Sequence, residues 1–210
     1  MENPKKRLSR IKTIIFDAGG VLFKVDWEKI KKDIMKKYGF SIFLYSDYPK
    51  NIAKYYKNKL STGKISFKQT IKNITGLKNL SQFAKDYEKV YLKYRTLNRQ
   101  MLALIKKLKK NYDILCLTNT NDIHFKANKS SRLFKDFDKV YASCSIGIKK
   151  PDKQAFKIIL KESPLSPQES LFIDDNAKNI KSAKSIGINS ILFKNYWDLK
   201  ESLKRFNIQL

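Results

Sequence analysis

Five polar side chains stand where short apolar runs give out, and a sixth stands at the mouth of a helical stretch. Asp17 closes the run TIIF and is followed by Ala18 and the pair Gly19-Gly20; Thr118 and Asn119 follow YDILCL; Asp174 and Asp175 follow SLFI; and Lys150 stands beside Pro151. Each has a plain structural use: a turn residue, a strand-end hydroxyl, a solvated lysine, an acidic helix N-cap. Taken together at equivalent positions they offer more. Two or three carboxylates suit a hard divalent cation, and a hydroxyl with an ammonium suits phosphate oxygens, which is the equipment of a Mg²⁺-dependent phosphoryl-transfer site.

The elements that must position these residues follow from the apolar pattern. TIIF, YDILCL, SLFI and SILF (190–193) are short, mainly apolar runs, as strands buried on both faces of a parallel sheet are. Between them run helical periods: Leu97, Met101, Leu104, Ile105 and Leu108 share one face, PDKQAFKIILKE carries Pro151 at a first helical position, and NAKNIKSAKSIG closes on Gly187. This β-then-α alternation predicts an α/β fold, a Rossmann-like core with a mostly parallel sheet and helices on both faces. From 26 to 96 the alternation stops. No strand is legible there, only helical stretches: Trp27, Ile30, Ile34 and Tyr38 on one face, then helices near 49–60, 66–75 and 80–95. The expected organisation is a catalytic core formed by 11–25 and 97–210, with an all-helical cap inserted over 26–96. In an open parallel sheet, ligands bind beyond the carboxyl ends of the strands, which is where the polar residues fall.

Composition removes other function classes. A chain of 210 residues with 42% hydrophobic content fills one domain with a small insertion. No stretch reaches the roughly 18–20 unbroken apolar residues of a membrane span, and the basic opening MENPKKRLSR leads into too short an apolar run for a signal peptide, so a soluble, cytoplasmic chain is expected. Two cysteines, Cys116 and Cys144, read as ordinary thiols, and the single histidine, His124, excludes a His-rich metal site and leaves a Ser-His-Asp triad one conceivable centre. The net charge of +26 is dominated by lysine spread end to end, with no nucleic-acid motif beside it, so specific nucleic-acid binding is not expected. A positive field still favours an anionic, phosphorylated small substrate. Nothing in the chain specifies an oligomeric state.

The order FDAGGVLF, LTNTN, GIKKPDKQAF and FIDDNAKNIKSAKSIG resembles the four motifs of the haloacid dehalogenase superfamily. LSTGKISFKQ at 60–69 is similar to a cap stretch of the branch that holds sugar-phosphate phosphatases and the amino-terminal domains of soluble epoxide hydrolases. The resemblance implies that Asp17 is a nucleophile that becomes an aspartyl phosphate. It implies Mg²⁺ held by the Asp17 carboxylate, the Gly19 carbonyl and the pair Asp174-Asp175. Thr118 and Asn119, backbone and side chain, would bind phosphoryl oxygens, and Lys150 would neutralise charge.

One position departs from the family pattern. Most phosphatases of this superfamily carry a second aspartate, a general acid and base, two residues after the nucleophile, and here that residue is Gly19. Dehalogenases lack it too, but they need no metal and lack the adjacent acidic pair; a silent binding protein and a phosphomutase are further alternatives. Loss of an acid favours substrates with good leaving groups, such as sugar 1-phosphates. Asp26 is a candidate substitute acid, with a helix N-cap as its plainer role, and Lys54, Tyr55 and Tyr56 are candidates to face the substrate.

Overall fold

The computed structural model describes residues 11–40, 50–162 and 166–209. Five parallel strands form the central sheet: β1 (Thr13–Phe16), β4 (Asp113–Thr118), β5 (Lys139–Ala142), β6 (Ser170–Asp174) and β7 (Asn189–Leu192), in the order β5-β4-β1-β6-β7. β1 is central because it pairs on both sides, Phe16 lying level with Cys116 of β4 and with Ile173 of β6. Successive side chains of a strand face opposite ways. Ile14 and Phe16 therefore pack with Met101, Leu104, Ile105 and Leu108 of α5 (Arg99–Leu108) and with Leu199 and Leu203 of α10 (Tyr196–Arg205). Ile15 joins Phe156 and Ile159 of α8 (Lys153–Glu162) and Ile180 and Ala183 of α9 (Ala177–Lys184) on the other face. Both faces being covered is why these strands read as unbroken apolar runs.

Four helices follow β2 (Phe23–Val25): α1 (Trp27–Tyr38), α2 (Lys50–Ser61), α3 (Phe67–Thr75) and α4 (Leu80–Lys93). They bury a separate cluster including Ile30, Ile34, Leu60, Phe67, Ile71, Phe83, Tyr87 and Tyr91. Two core residues, Ile123 and Ala127 of α6 (Asp122–Ser130), belong to that same cluster. One core helix is thus packed into the cap. No described helix is long and apolar enough to cross a membrane.

Several sequence expectations need correction. The 26–96 stretch holds part of a strand: β3 (Arg95–Leu97) pairs antiparallel with β2, so the chain enters and leaves the cap side by side. Its residues are half-buried or exposed, which leaves no apolar signature. β5 begins on an exposed lysine and has only two buried residues, and it too gave no readable run. Leu97 lies in β3 rather than on the helix face, because Asn98 caps α5 by accepting from the Met101 N–H (3.3 Å). Pro151 precedes α8 instead of opening it. Asp152 takes the start of that helix, its carboxylate accepting from Gln154 N–H (2.9 Å). Gly187 stands beyond the end of α9, at φ +87° in the turn into β7. The opening ten residues, and residue 49 at the expected start of a cap helix, lie outside the described residues.

Candidate active site

Asp17 extends β1 by one residue, its N–H donating to the Ile173 carbonyl (2.8 Å), and its side chain is 12% exposed at the carboxyl end of the sheet. Lys150, 133 residues away in sequence, reaches it from the loop before α8. The Lys150 side chain is 1% exposed, and its ammonium donates to Asp17 Oδ1 and Asp174 Oδ2, both at 2.7 Å. A buried ion pair is tolerable only when its remaining valences are filled. Asp174 meets that requirement: Oδ1 accepts from the Asn176 N–H (2.7 Å), and both oxygens accept from Asn179 Nδ2 (3.1 and 3.0 Å). Asp175 is exposed and free of those donors. One oxygen each from Asp17, Asp174 and Asp175 lies within 4.8 Å of the others, so the structure brings the three expected carboxylates together.

The two glycines differ in what they permit. Gly20 has φ +79°, and a Cβ there would fall 2.0 Å from Asp175 Oδ2, so glycine is required both for the backbone turn and for the approach of that carboxylate. A Cβ on Gly19 would meet nothing within 4 Å.

Thr118 is buried at the end of β4, and no hydrogen bond engages its hydroxyl among the described residues. The Asn119 side chain also has a structural use. Its Oδ1 accepts from the Lys150 N–H (2.9 Å) and its Nδ2 donates to the Lys150 carbonyl (2.8 Å), so both side-chain groups hold the lysine's backbone. The loop after β4 is fixed further by Ser143, whose Oγ accepts from Thr120 N–H (2.9 Å) and donates to the Thr120 carbonyl (3.1 Å). Asn176, Asn179 and Ser143 were not singled out from sequence. The only signal was local: the two asparagines lie in the helix start that follows the acidic pair, where side chains turn back toward the strand end.

The charge balance of the site favours a cation. Burial, with the neighbouring Asp174 charge adding and Lys150 opposing, pushes the Asp17 carboxyl up to about 6. Burial and Asp174 also raise Asp175. Burial works to lower Lys150, but Asp17 and Asp174 outweigh it and hold the ammonium above its ordinary range. Three carboxylates against one ammonium leave excess negative charge, and their oxygens are the hard donors that a small divalent cation prefers. The residues present therefore fit Mg²⁺.

Other candidates have different roles. Asp26 is the N-cap of α1, accepting from Lys29 N–H (3.1 Å) and pairing with the Lys29 ammonium (3.0 Å). Those bonds hold its carboxyl below the usual range, the wrong direction for a general acid. Lys54 and Tyr55 are exposed on α2, with the Lys59 ammonium donating to the Tyr55 hydroxyl (2.5 Å), and Tyr56 is half-buried. His124 belongs to no triad among the described residues: Nε2 faces the Tyr87 hydroxyl (2.7 Å), its ring stacks on Tyr91 with centroids 4.4 Å apart, and desolvation lowers its pKa to about 3. Cys116 and Cys144 are free thiols, Cys116 buried in β4 and held well above the ordinary thiol range by burial and then by Asp17.

The sequence profile of a hydrolase family, the haloacid dehalogenase-like hydrolases, matches residues 11–187. The chain belongs to this family. Among haloacid dehalogenase-like relatives, it is 26% identical to the D-ribitol-5-phosphate phosphatase of Bacteroides thetaiotaomicron over 205 residues, 92% of this chain and 97% of that protein. A solved family enzyme from the same organism, in complex with magnesium and inorganic phosphate, superposes with a TM-score of 0.73 at 26% identity, over 90% of this chain and 98% of that one. The bifunctional epoxide hydrolase 2 of Sus scrofa is 25% identical over 88% of this chain but only 36% of its own length.

Proposed function

We propose that this haloacid dehalogenase-like hydrolase is a Mg²⁺-dependent phosphatase that cleaves the monophosphates of small sugars or sugar alcohols through an aspartyl-phosphate on Asp17. The observation that carries this reading is the Lys150 ammonium set between Asp17 and Asp174, beside a third carboxylate. Magnesium in the solved relative and the sugar-alcohol phosphate named for the curated one support it.

An oxygen of Asp17 attacks phosphorus and the ester P–O bond breaks; the departing alkoxide takes a proton from water, since Gly19 offers none. Water then cleaves the acyl phosphate, releasing inorganic phosphate and restoring Asp17. Lys150 fixes the Asp17 carboxylate through Oδ1 and offsets charge on the transferring group. The Thr118 hydroxyl and the Asn119 N–H bind phosphoryl oxygens, while the Asn119 side chain positions Lys150. Mg²⁺, when bound, supplies the positive charge that keeps Asp17 ionised and neutralises the phosphoryl oxygens. Asp17, the Gly19 carbonyl and Asp175 would hold it. Asp174, whose oxygens are taken by Lys150, Asn176 and Asn179, supports the site from behind. Residues 11–25 and 97–210 form the catalytic unit and 26–96 the cap, with the β2–β3 ribbon as their junction.

The test is hydrolysis of a monoester panel, D-ribitol 5-phosphate and sugar 1-phosphates included, with Mg²⁺ or with EDTA, in wild type and in Asp17→Asn. Turnover that needs Mg²⁺ and disappears in Asp17→Asn is expected. Turnover in excess EDTA, or halide released from a 2-haloacid in its place, overturns the reading.

A further inference from the structure

Most polar contacts between cap and core fall on one core helix, α6; outside it, the Lys149 ammonium donates to Asn58 Oδ1 of α2 (2.6 Å). Asp122, in the first turn of α6, accepts the Phe67 N–H on both carboxylate oxygens (2.9 and 3.1 Å), so a core side chain meets the first helical residue of cap helix α3. On the next turns, His124 faces the Tyr87 hydroxyl of α4 (2.7 Å), and Asn128 exchanges hydrogen bonds with the Tyr91 hydroxyl (3.3 and 3.1 Å). Ile123 and Ala127 bury their side chains in the cap's own cluster. α6 is also the direct continuation of the loop Thr118-Asn119-Thr120, with Asn121 as its N-cap. A displacement of the cap is therefore a displacement of the helix that carries this loop.

We infer that Asp122 is a positioning residue of the site, its carboxylate joining cap helix α3 to the phosphate-binding loop and so setting how tightly a phosphate ester is held. This rests on the phosphoryl-binding role proposed above for Thr118 and Asn119. Asp17 is held by β1 and β6, and Lys150 by Asn119 and Asp174, without any cap residue. Chemistry on a bound ester thus survives loosening of the cap, whereas binding does not. If only a fraction of molecules keeps cap and loop in register, the apparent dissociation constant rises by the inverse of that fraction. Asp122 is exposed beside a cavity of about 480 Å³ that Ser66, Lys68, Glu88 and Lys126 also line. Water therefore reaches the Phe67 N–H when the carboxylate is removed, and the variant folds.

The experiment measures kcat and KM for p-nitrophenyl phosphate, and affinity for beryllofluoride with Mg²⁺, in wild type, Asp122→Ala, Asp122→Asn and Asp86→Asn. Among the described residues Asp86 accepts only from the cap, from Lys37 and Tyr38 of α1 and Gln82 of α4, so its variant weakens the cap without touching α6. Coupling of this kind is typically modest, so Asp122→Ala is expected to raise KM about tenfold and weaken beryllofluoride comparably, with kcat changed less than about twofold. Asp122→Asn, which keeps one acceptor, is expected to recover most of the loss, and Asp86→Asn to leave KM unchanged. An unaltered KM in Asp122→Ala, a loss confined to kcat, or an equal rise in Asp86→Asn overturns the assignment. A wild type that neither cleaves the ester nor binds beryllofluoride overturns the phosphatase reading, and the role of Asp122 with it.

Discussion

Gly20→Ala is expected to remove most of the protein's affinity for Mg²⁺ while leaving its fold nearly intact, and Gly19→Ala, one residue earlier, to do neither. The left-handed backbone at Gly20 (φ +79°) costs an alanine about 1–2 kcal/mol. For a chain of this size that is a fall in Tm of roughly 2–8 °C, since each kcal/mol corresponds to about 2–4 °C. The greater effect is local. The new Cβ would lie 2.0 Å from Asp175 Oδ2 and 2.6 Å from its Cγ, well inside van der Waals contact. Asp175 is exposed and can swing aside at little cost in stability, but the swing carries its oxygens away from Asp17. Losing one charged oxygen donor should raise the half-saturating Mg²⁺ concentration by about 10- to 100-fold, the range seen when groups that orient a metal site are removed. At Gly19 there is open space and no left-handed backbone, so alanine there should leave Mg²⁺ dependence within about twofold and stabilise the fold by about 0.4–1 kcal/mol through the unfolded chain. The assay pairs thermal melts in EDTA with phosphatase activity across a MgCl₂ titration. A Gly20→Ala enzyme with wild-type Mg²⁺ dependence, or the same loss in Gly19→Ala, would refute the placement of Asp175 at the metal.

The space at Gly19 also allows a general acid to be restored. Gly19→Asp should raise kcat/KM for esters of poorly acidic alcohols by at least about tenfold, against the 10²–10⁴ of an evolved acid, and flatten the dependence on leaving-group pKa; an unchanged slope would mean that the missing aspartate does not limit the reaction. His124 gives a pH signature of stability. Its folded pKa of about 3 lies below the ordinary 6.5, so the unfolded chain binds a proton that the native protein refuses, and stability falls as pH drops from about 6.5 toward 3. Relative to His124→Gln, wild type should lose up to about 1.4 kcal/mol per pH unit across that interval in denaturant melts; parallel curves for the two proteins would contradict a half-buried histidine held neutral.

What could be read from the chain alone was whatever local pattern expresses directly. The strands at Thr13, Asp113, Ser170 and Asn189 were legible because burial in the sheet writes three or four apolar residues in a row. Asp17, Thr118, Asn119, Asp174 and Asp175 were legible because they stand where those runs end, and the cap because its helices keep the 3.6-residue period. β3 and β5 were not, since an exposed ribbon and a short strand carry no apolar pattern of their own. Only the tertiary structure decided that Lys150 lies between Asp17 and Asp174, because that contact depends on which strands pair and in what register. It also decided that the Asn119 side chain serves Lys150, that Gly20 is glycine to admit the Asp175 carboxylate, and that α6 packs with the cap. Residue types and their spacing record which groups a segment carries to the end of a strand. Which oxygen each group meets there depends on neighbours 24 to 133 residues away, which no local pattern encodes.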